Sequence, residues 1–297
     1  MSGLASAQTT SVEREGGSPR QRRWRRGPGW LTYLVLGIVL FLSAFPFYWM
    51  FVVASQSTES INAVPPAMIP GPNLLTHIQE VFERVNFGRA MLNSAIVAGT
   101  IAISQTLLCA LAGFAFAKLE FRGRRVLFVI LVATMMLPTQ LGVVPQFMLI
   151  KVLGWNSNLL AVIVPGLVTA FGVFWMRQHI GAAVPDEVIQ AARVDGASNW
   201  RVFRSVVFPM IRPAAAVLGL FAFLAAWNDF FWPLIVLQKP DSWTAQVALR
   251  QVQNQAYITD YGVEMTATVI ATLPLLILAL VLGRQLVHGI MEGAVKG

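Results

Sequence analysis

Apolar residues gather in six long blocks along the chain, each bounded by short polar segments. The blocks cover about residues 30–54, 90–117, 126–150, 158–177, 213–237 and 264–283. A helix needs about 20 apolar residues to cross the hydrocarbon core of a bilayer, and each block reaches that length. Apart from Arg177 and Glu264 at block ends, only Asp229, toward the end of the fifth, interrupts them with a charge. Pro46, Pro138, Pro165, Pro233 and Pro274 fall inside the blocks, where neighbouring helices satisfy the backbone groups that proline frees. The pattern predicts six membrane-spanning helices.

Six crossings put both ends of the chain on one side. With that side cytoplasmic, 17 of the 22 Lys and Arg residues are inside and 5 outside, so the excess of cytoplasmic positive charge places both termini inside. This accounts for the net charge of +8 without nucleic acid. Only 12% of the residues are charged and 56% are hydrophobic, whereas a soluble domain carries about 25% charged residues. A water-soluble enzyme is thereby excluded. Residues 1–29, rich in Gly, Ser, Gln and Arg, read as a disordered basic tail attracted to anionic lipid. The first block is too long for a cleaved signal peptide.

Several chemistries are missing. There is no G-x-x-x-x-G-K-[ST] phosphate loop, no G-x-S-x-G elbow and no H-E-x-x-H. His77, His179 and His288 lie about a hundred residues apart, and Cys109 is the single cysteine. No catalytic residue, metal site or cofactor is assigned to this chain. An ion-coupled carrier places carboxylates or histidines near the midplane. Here the energy source is expected elsewhere. Asp229 reads as a helix-end group beside Trp227 and Asn228, or as part of a polar path. Gln105, Cys109, Gly113 and Ala117 are spaced by four on one helical face, which suits close helix packing; a direct solute contact by Gln105 is the alternative.

The segment 178–212 between the fourth and fifth blocks carries the most information. Pro185, Asp186 and Glu187 suit a helix start, and Gly196 suits its C-terminal stop. Ser198 can cap a second short helix with Trp200, Phe203 and Val207 on one apolar face, ending at Pro209 and Pro213. The small pair Ala191 and Ala192 permits close approach by a partner. The element is either a docking site or an amphipathic helix on lipid.

Its wording shifts that balance. Q-A-A-R-V-D-G from Gln190 to Gly196 is followed by nine residues and V-V-F-P ending at Pro209. This resembles the EAA loop of bacterial ABC importer permeases, E-A-A, three residues, G, nine residues, I-x-L-P. Ala191, Ala192, Gly196 and Pro209 match, while Gln190, Val206 and Phe208 replace Glu, Ile and Leu. N-F-G-R-A-M-L-N-S from Asn86, F-A-K-L-E-F-R-G-R from Phe116, A-W-N-D-F from Ala226 and V-H-G-I-M-E-G-A-V-K-G from Val287 resemble the maltose-type, carbohydrate-importing branch.

The resemblance implies an all-α membrane protein with six transmembrane helices, like type I ABC importer permeases, in the cell membrane with both termini cytoplasmic. It implies a transmembrane domain over 30–288 with a coupling loop at 178–212, and a cytoplasmic C-terminal tail at 289–297. With three glycines in its last nine residues, that tail is not expected to pack as a membrane helix. The chain would be a transport subunit without enzymatic activity. It would pair with a second, related permease, two ATPase subunits that bind ATP and Mg, and an extracytoplasmic sugar-binding protein. The ATPase-coupling residues would be Glu187, Gln190, Ala191, Ala192, Asp195, Gly196, Trp200 and Pro209. Gln105, Asn228 and Asp229 are candidates for the translocation path. Trp243, Tyr257 and Tyr261, on the outer loop, are candidates for contact with the binding protein, or for an interfacial aromatic belt. A non-sugar importer, or a secondary carrier or channel, is the competing reading.

Overall fold

The computed structural model describes residues 29–254 and 260–294, with side chains described at 29–253 and 260–281. The basic tail up to residue 28 and Tyr257 therefore lie outside the described residues. Every regular element among the described residues is helical. In chain order these are α1 (Trp30–Ser55), α2 (Thr58–Asn62), α3 (Leu74–Arg84), α4 (Phe87–Lys118), α5 (Arg124–Thr134), α6 (Val143–Val152), α7 (Leu160–Gly166) and α8 (Ala170–Ala183). They continue with α9 (Asp186–Val194), α10 (Asn199–Val202), α11 (Phe208–Met210), α12 (Arg212–Asn228), α13 (Phe231–Val236), α14 (Ala245–Asn254) and α15 (Tyr261–Ala294). The chain divides within α1 into two compact units, one ending at Trp49 and the other beginning at Met50. The first holds the apolar N-terminal part of α1.

Four helical segments are long and apolar enough to cross a membrane: Trp30–Ser55, Phe87–Lys118, Leu160–Ala183 and Tyr261–Val281. Two bent helix pairs raise the number to six when each counts as one span. The third expected span is one of these pairs. It is not a single rod over 126–150, because Arg124–Thr134 and Thr139–Val152 meet at 96°. Pro138 lies at the corner; its ring lacks an N–H and disfavours helix at Leu137 before it.

The fifth span also differs from the expected run over 213–237. α12 stops at Asn228, and α13 is a separate short helix. The other bent pair joins Asn199–Met210 to Arg212–Asn228 at 82°. The last helix runs farther than its apolar block, from Tyr261 to Ala294. Most of the segment expected as a tail at 289–297 is thus its final turns.

In the second unit α4 is the central helix, packed on α8 along one side and α12 along another. The face with residues spaced by four does the packing. Gln105 Nε2 donates to the Gly166 carbonyl at 2.8 Å, and Thr169 Oγ1 donates to Gln105 Oε1 at 3.3 Å. Cys109 Sγ lies 3.8 Å from the Thr169 carbonyl. A Cβ on Gly113 would lie 2.8 Å from both Met176 Cβ and the Arg177 backbone nitrogen, and one on Gly172 would lie 2.7 Å from Cys109 Sγ. These glycines let the two backbones approach closely. A second cluster forms around Val81, Phe87, Val252, Val263 and Ala267, joining α3, α4, α14 and α15.

Candidate functional site

α9 begins after Pro185, has Asp186 and Glu187 in its first turn and ends with Arg193 in its last. These charges oppose the helix dipole at both ends. Its C-terminus is a complete Schellman motif. Gly196 N–H donates to the Arg193 carbonyl and Ala197 N–H to the Ala192 carbonyl, both at 3.0 Å. Gly196 sits at φ +77°, the left-handed region that favours glycine. Ser198 then caps α10, its hydroxyl accepting from Arg201 N–H at 3.4 Å.

One side of α9 is keyed into the interior. Ile189 is buried in a cluster with Cys109 and Phe114 of α4, Met176 and Ile180 of α8, Phe203 and Val207 beyond α10, and Leu218 of α12. At the first turn, Lys118 Nζ of α4 donates to Asp186 Oδ1 at 2.7 Å. The other side is exposed and carries Glu187, Gln190, Ala191, Val194 and Asp195. The alanine pair is therefore split. Ala191 is on the outer face, whereas Ala192 packs against the interior cluster, because successive helical residues point about 100° apart.

The second short helix departs from the expected apolar face. Trp200 is 60% exposed while Val202, Phe203 and Val207 are buried. Residues Phe203–Val207 form a π-turn, with Phe208 N–H bonded to the Phe203 carbonyl. Pro209 follows without an N–H to continue the α pattern, so the face rotates and Trp200 is left against Phe203 with ring centroids 5.8 Å apart.

A polar hollow of about 540 Å³ opens beside α9, between it and the α4–α5 connection. Lys118, Glu120, Arg124, Asp186, Gln190 and Arg193 line it. Lys118 was missed in the sequence as a site residue. Its signal was available, since it is the one lysine closing a 32-residue apolar helix.

A second cavity of about 540 Å³ lies among the spans and brings Gln105 and Asp229 together, but not Asn228. Asn228 is exposed, and its amide is bonded to the Leu224 carbonyl of its own helix at 2.9 Å. Asp229 combines both readings of it. The N–H groups of Phe231 and Trp232 face its carboxylate, and it lines the cavity. Thr139, Gln140 and Gln146, from the broken third span, complete the polar lining. They too were missed, although a Thr-Gln pair directly after Pro138 in an apolar block is an unusual sequence.

On the loop between α13 and α14, Trp243 is half-buried and packs against two interior clusters. Its carbonyl accepts from the Asn93 amide at 2.9 Å. Tyr261 is 45% exposed at the start of α15. The aromatics therefore do not form one exposed patch among the described residues. No group of three His, Cys, Asp or Glu residues is placed to hold a metal ion among the described residues.

Comparison with known proteins bears on this arrangement. Residues 109–291 match the family described as binding-protein-dependent transport system inner membrane component. The chain is 33% identical over 272 residues to the lactose transport system permease protein LacG of Rhizobium radiobacter, covering 92% of this chain and 98% of that one. It is 30% identical over 268 residues to the sn-glycerol-3-phosphate transport system permease protein UgpE of Escherichia coli, covering 88% and 94%. Its fold matches a chain of a bacterial ABC transporter involved in import of the acidic polysaccharide alginate, with TM-score 0.74 at 21% identity over 86% of this chain and 94% of that one. A bacterial alginate ABC transporter in complex with an alginate pentasaccharide-bound periplasmic protein matches with TM-score 0.58 at 18% identity, over 84% and 92%. The chain is a multi-pass membrane protein of the binding-protein-dependent transport system inner membrane component family, the permease subunits of ABC importers.

Proposed function

We propose that this permease moves a sugar or oligosaccharide from an extracytoplasmic binding protein into the cytoplasm, driven by ATP hydrolysis on separate subunits. It pairs with a second, related permease above two ATPase subunits, which hold the ATP and Mg; the chain itself binds no cofactor. Both termini face the cytoplasm, as the distribution of basic residues favours. The sugar class is supported by the relative named for lactose transport; the one named for sn-glycerol 3-phosphate, a phosphorylated polyol, extends the range to other polyhydroxylated solutes.

One observation carries the coupling role: α9 presents an exposed face while its opposite side is locked into the cluster that joins α4, α8 and α12. A knob held this way transmits a push as a rigid body. Closure of the ATPase pair would move α9, and Ile189 with the Lys118–Asp186 pair would carry that motion to the central helix. The chain performs no covalent step.

The test is ATP hydrolysis by the reconstituted complex with and without its solute-loaded binding protein. Stimulation by the loaded binding protein, with solute accumulating inside the vesicles, supports the reading. ATP-independent uptake by this chain alone contradicts it.

A further inference from the structure

We propose that the cavity shared by Gln105 and Asp229 takes uncharged or cationic polyols and rejects anions, with Asp229 setting that charge selectivity. The proposal rests on the importer reading above and names the solute class of the path. A volume of about 540 Å³ suits a small-molecule site. The lining offers amides from Gln140 and Gln146, the Thr139 hydroxyl, and the rings of Phe231 and Trp232. Amides and hydroxyls bond sugar hydroxyls, and an aromatic face suits the apolar face of a pyranose ring. Trp232 is held in place, since its Nε1 donates to the Ala161 carbonyl at 2.9 Å. Gln105 is committed to Gly166 and Thr169 and so forms wall.

The charge of the lining is what discriminates. Asp229 is its one ionisable residue, and no Lys, Arg or His lines the cavity to offset it. Among spans poor in water, a single carboxylate repels an approaching anion strongly. The relatives are named for solutes of different charge, with lactose neutral and sn-glycerol 3-phosphate anionic, so the shared fold leaves that choice to side chains such as this one.

The experiment places one thiol in the cavity by Gln146→Cys in a Cys109→Ser background, within the complex assembled in membranes. Its modification by the cationic trimethylammonium-ethyl methanethiosulfonate is compared with that by the anionic sulfonato-ethyl reagent. Leu75→Cys, at a highly exposed position on α3, serves as reference. The cation should react about tenfold faster than the anion after normalisation. Asp229→Asn, which keeps an acceptor toward α13, should abolish that preference, and Asp229→Lys should reverse it. An unchanged ratio in both variants overturns the proposal, as does absence of labelling by either reagent in a complex that still transports. Copurification of an ATPase with this chain is scored in parallel; its failure would strike the importer reading instead, whatever the labelling shows.

Discussion

Lys118 Nζ lies 2.7 Å from Asp186 Oδ1, joining the last turn of the central helix to the first turn of the surface helix α9. The two ends differ in environment, with the lysine side chain 8% exposed and the aspartate 71%. Removing Asp186 leaves a nearly buried ammonium without its ion-pair partner, whereas removing Lys118 leaves a carboxylate in solvent. Asp186→Ala should therefore cost about 1–3 kcal/mol locally and lower uptake more than Lys118→Met. Uptake and thermal melting of the two variants, measured side by side, check this order.

Gly196 supplies a second prediction. At φ +77° an added Cβ costs about 1 kcal/mol. Gly196→Pro goes further, since it fixes φ near −65° and removes the N–H that closes the helix on Arg193. The turn should open and misplace the outer face of α9. Membrane insertion and pairing with the sister permease should be normal, while ATPase retention and uptake fall; pull-down and uptake assays read both.

The α4–α8 contact predicts a different outcome. A side chain at Gly113 meets the backbone nitrogen of Arg177, which cannot swing away. Gly113→Val should separate the helices and lower stability by about 1–3 kcal/mol. Yield and melting temperature should fall together with uptake, unlike the Gly196 variant, where insertion is normal while ATPase retention and uptake fall.

Topology gives a fourth. Single thiols at positions 60 and 250 should react with a membrane-impermeant reagent from outside intact cells, and thiols at 122 and 195 should not. Labelling of position 195 from outside would invert the orientation.

Much of this was legible because the signals are local. Pro185, the acidic pair after it, Gly196 and Ser198 marked the start, stop and restart of α9 and α10, since caps depend on a few adjacent residues. The four-spaced face of α4 announced its packing for the same reason. Tertiary geometry was not legible. Pro138 signalled a kink, but a 96° corner depends on the helices around it. Ala191 and Ala192 are chemically alike, and only the burial of Ile189 decides which faces out. The π-turn at Phe203–Val207 shifts the helical phase, which a fixed period of 3.6 cannot anticipate. The division of Asn228 from Asp229 follows from where α12 ends, and continuous hydrophobicity across that boundary hid it.

The central claim is that the outer face of α9 is the surface on which the ATPase acts. The most direct test replaces Ala191 with a photoreactive amino acid in the assembled complex, with the same probe at Leu75 as reference. Capture of the ATPase subunit from position 191, and not from position 75, is the predicted result. Capture of lipid only from position 191, in a complex that still imports its solute, would contradict the account.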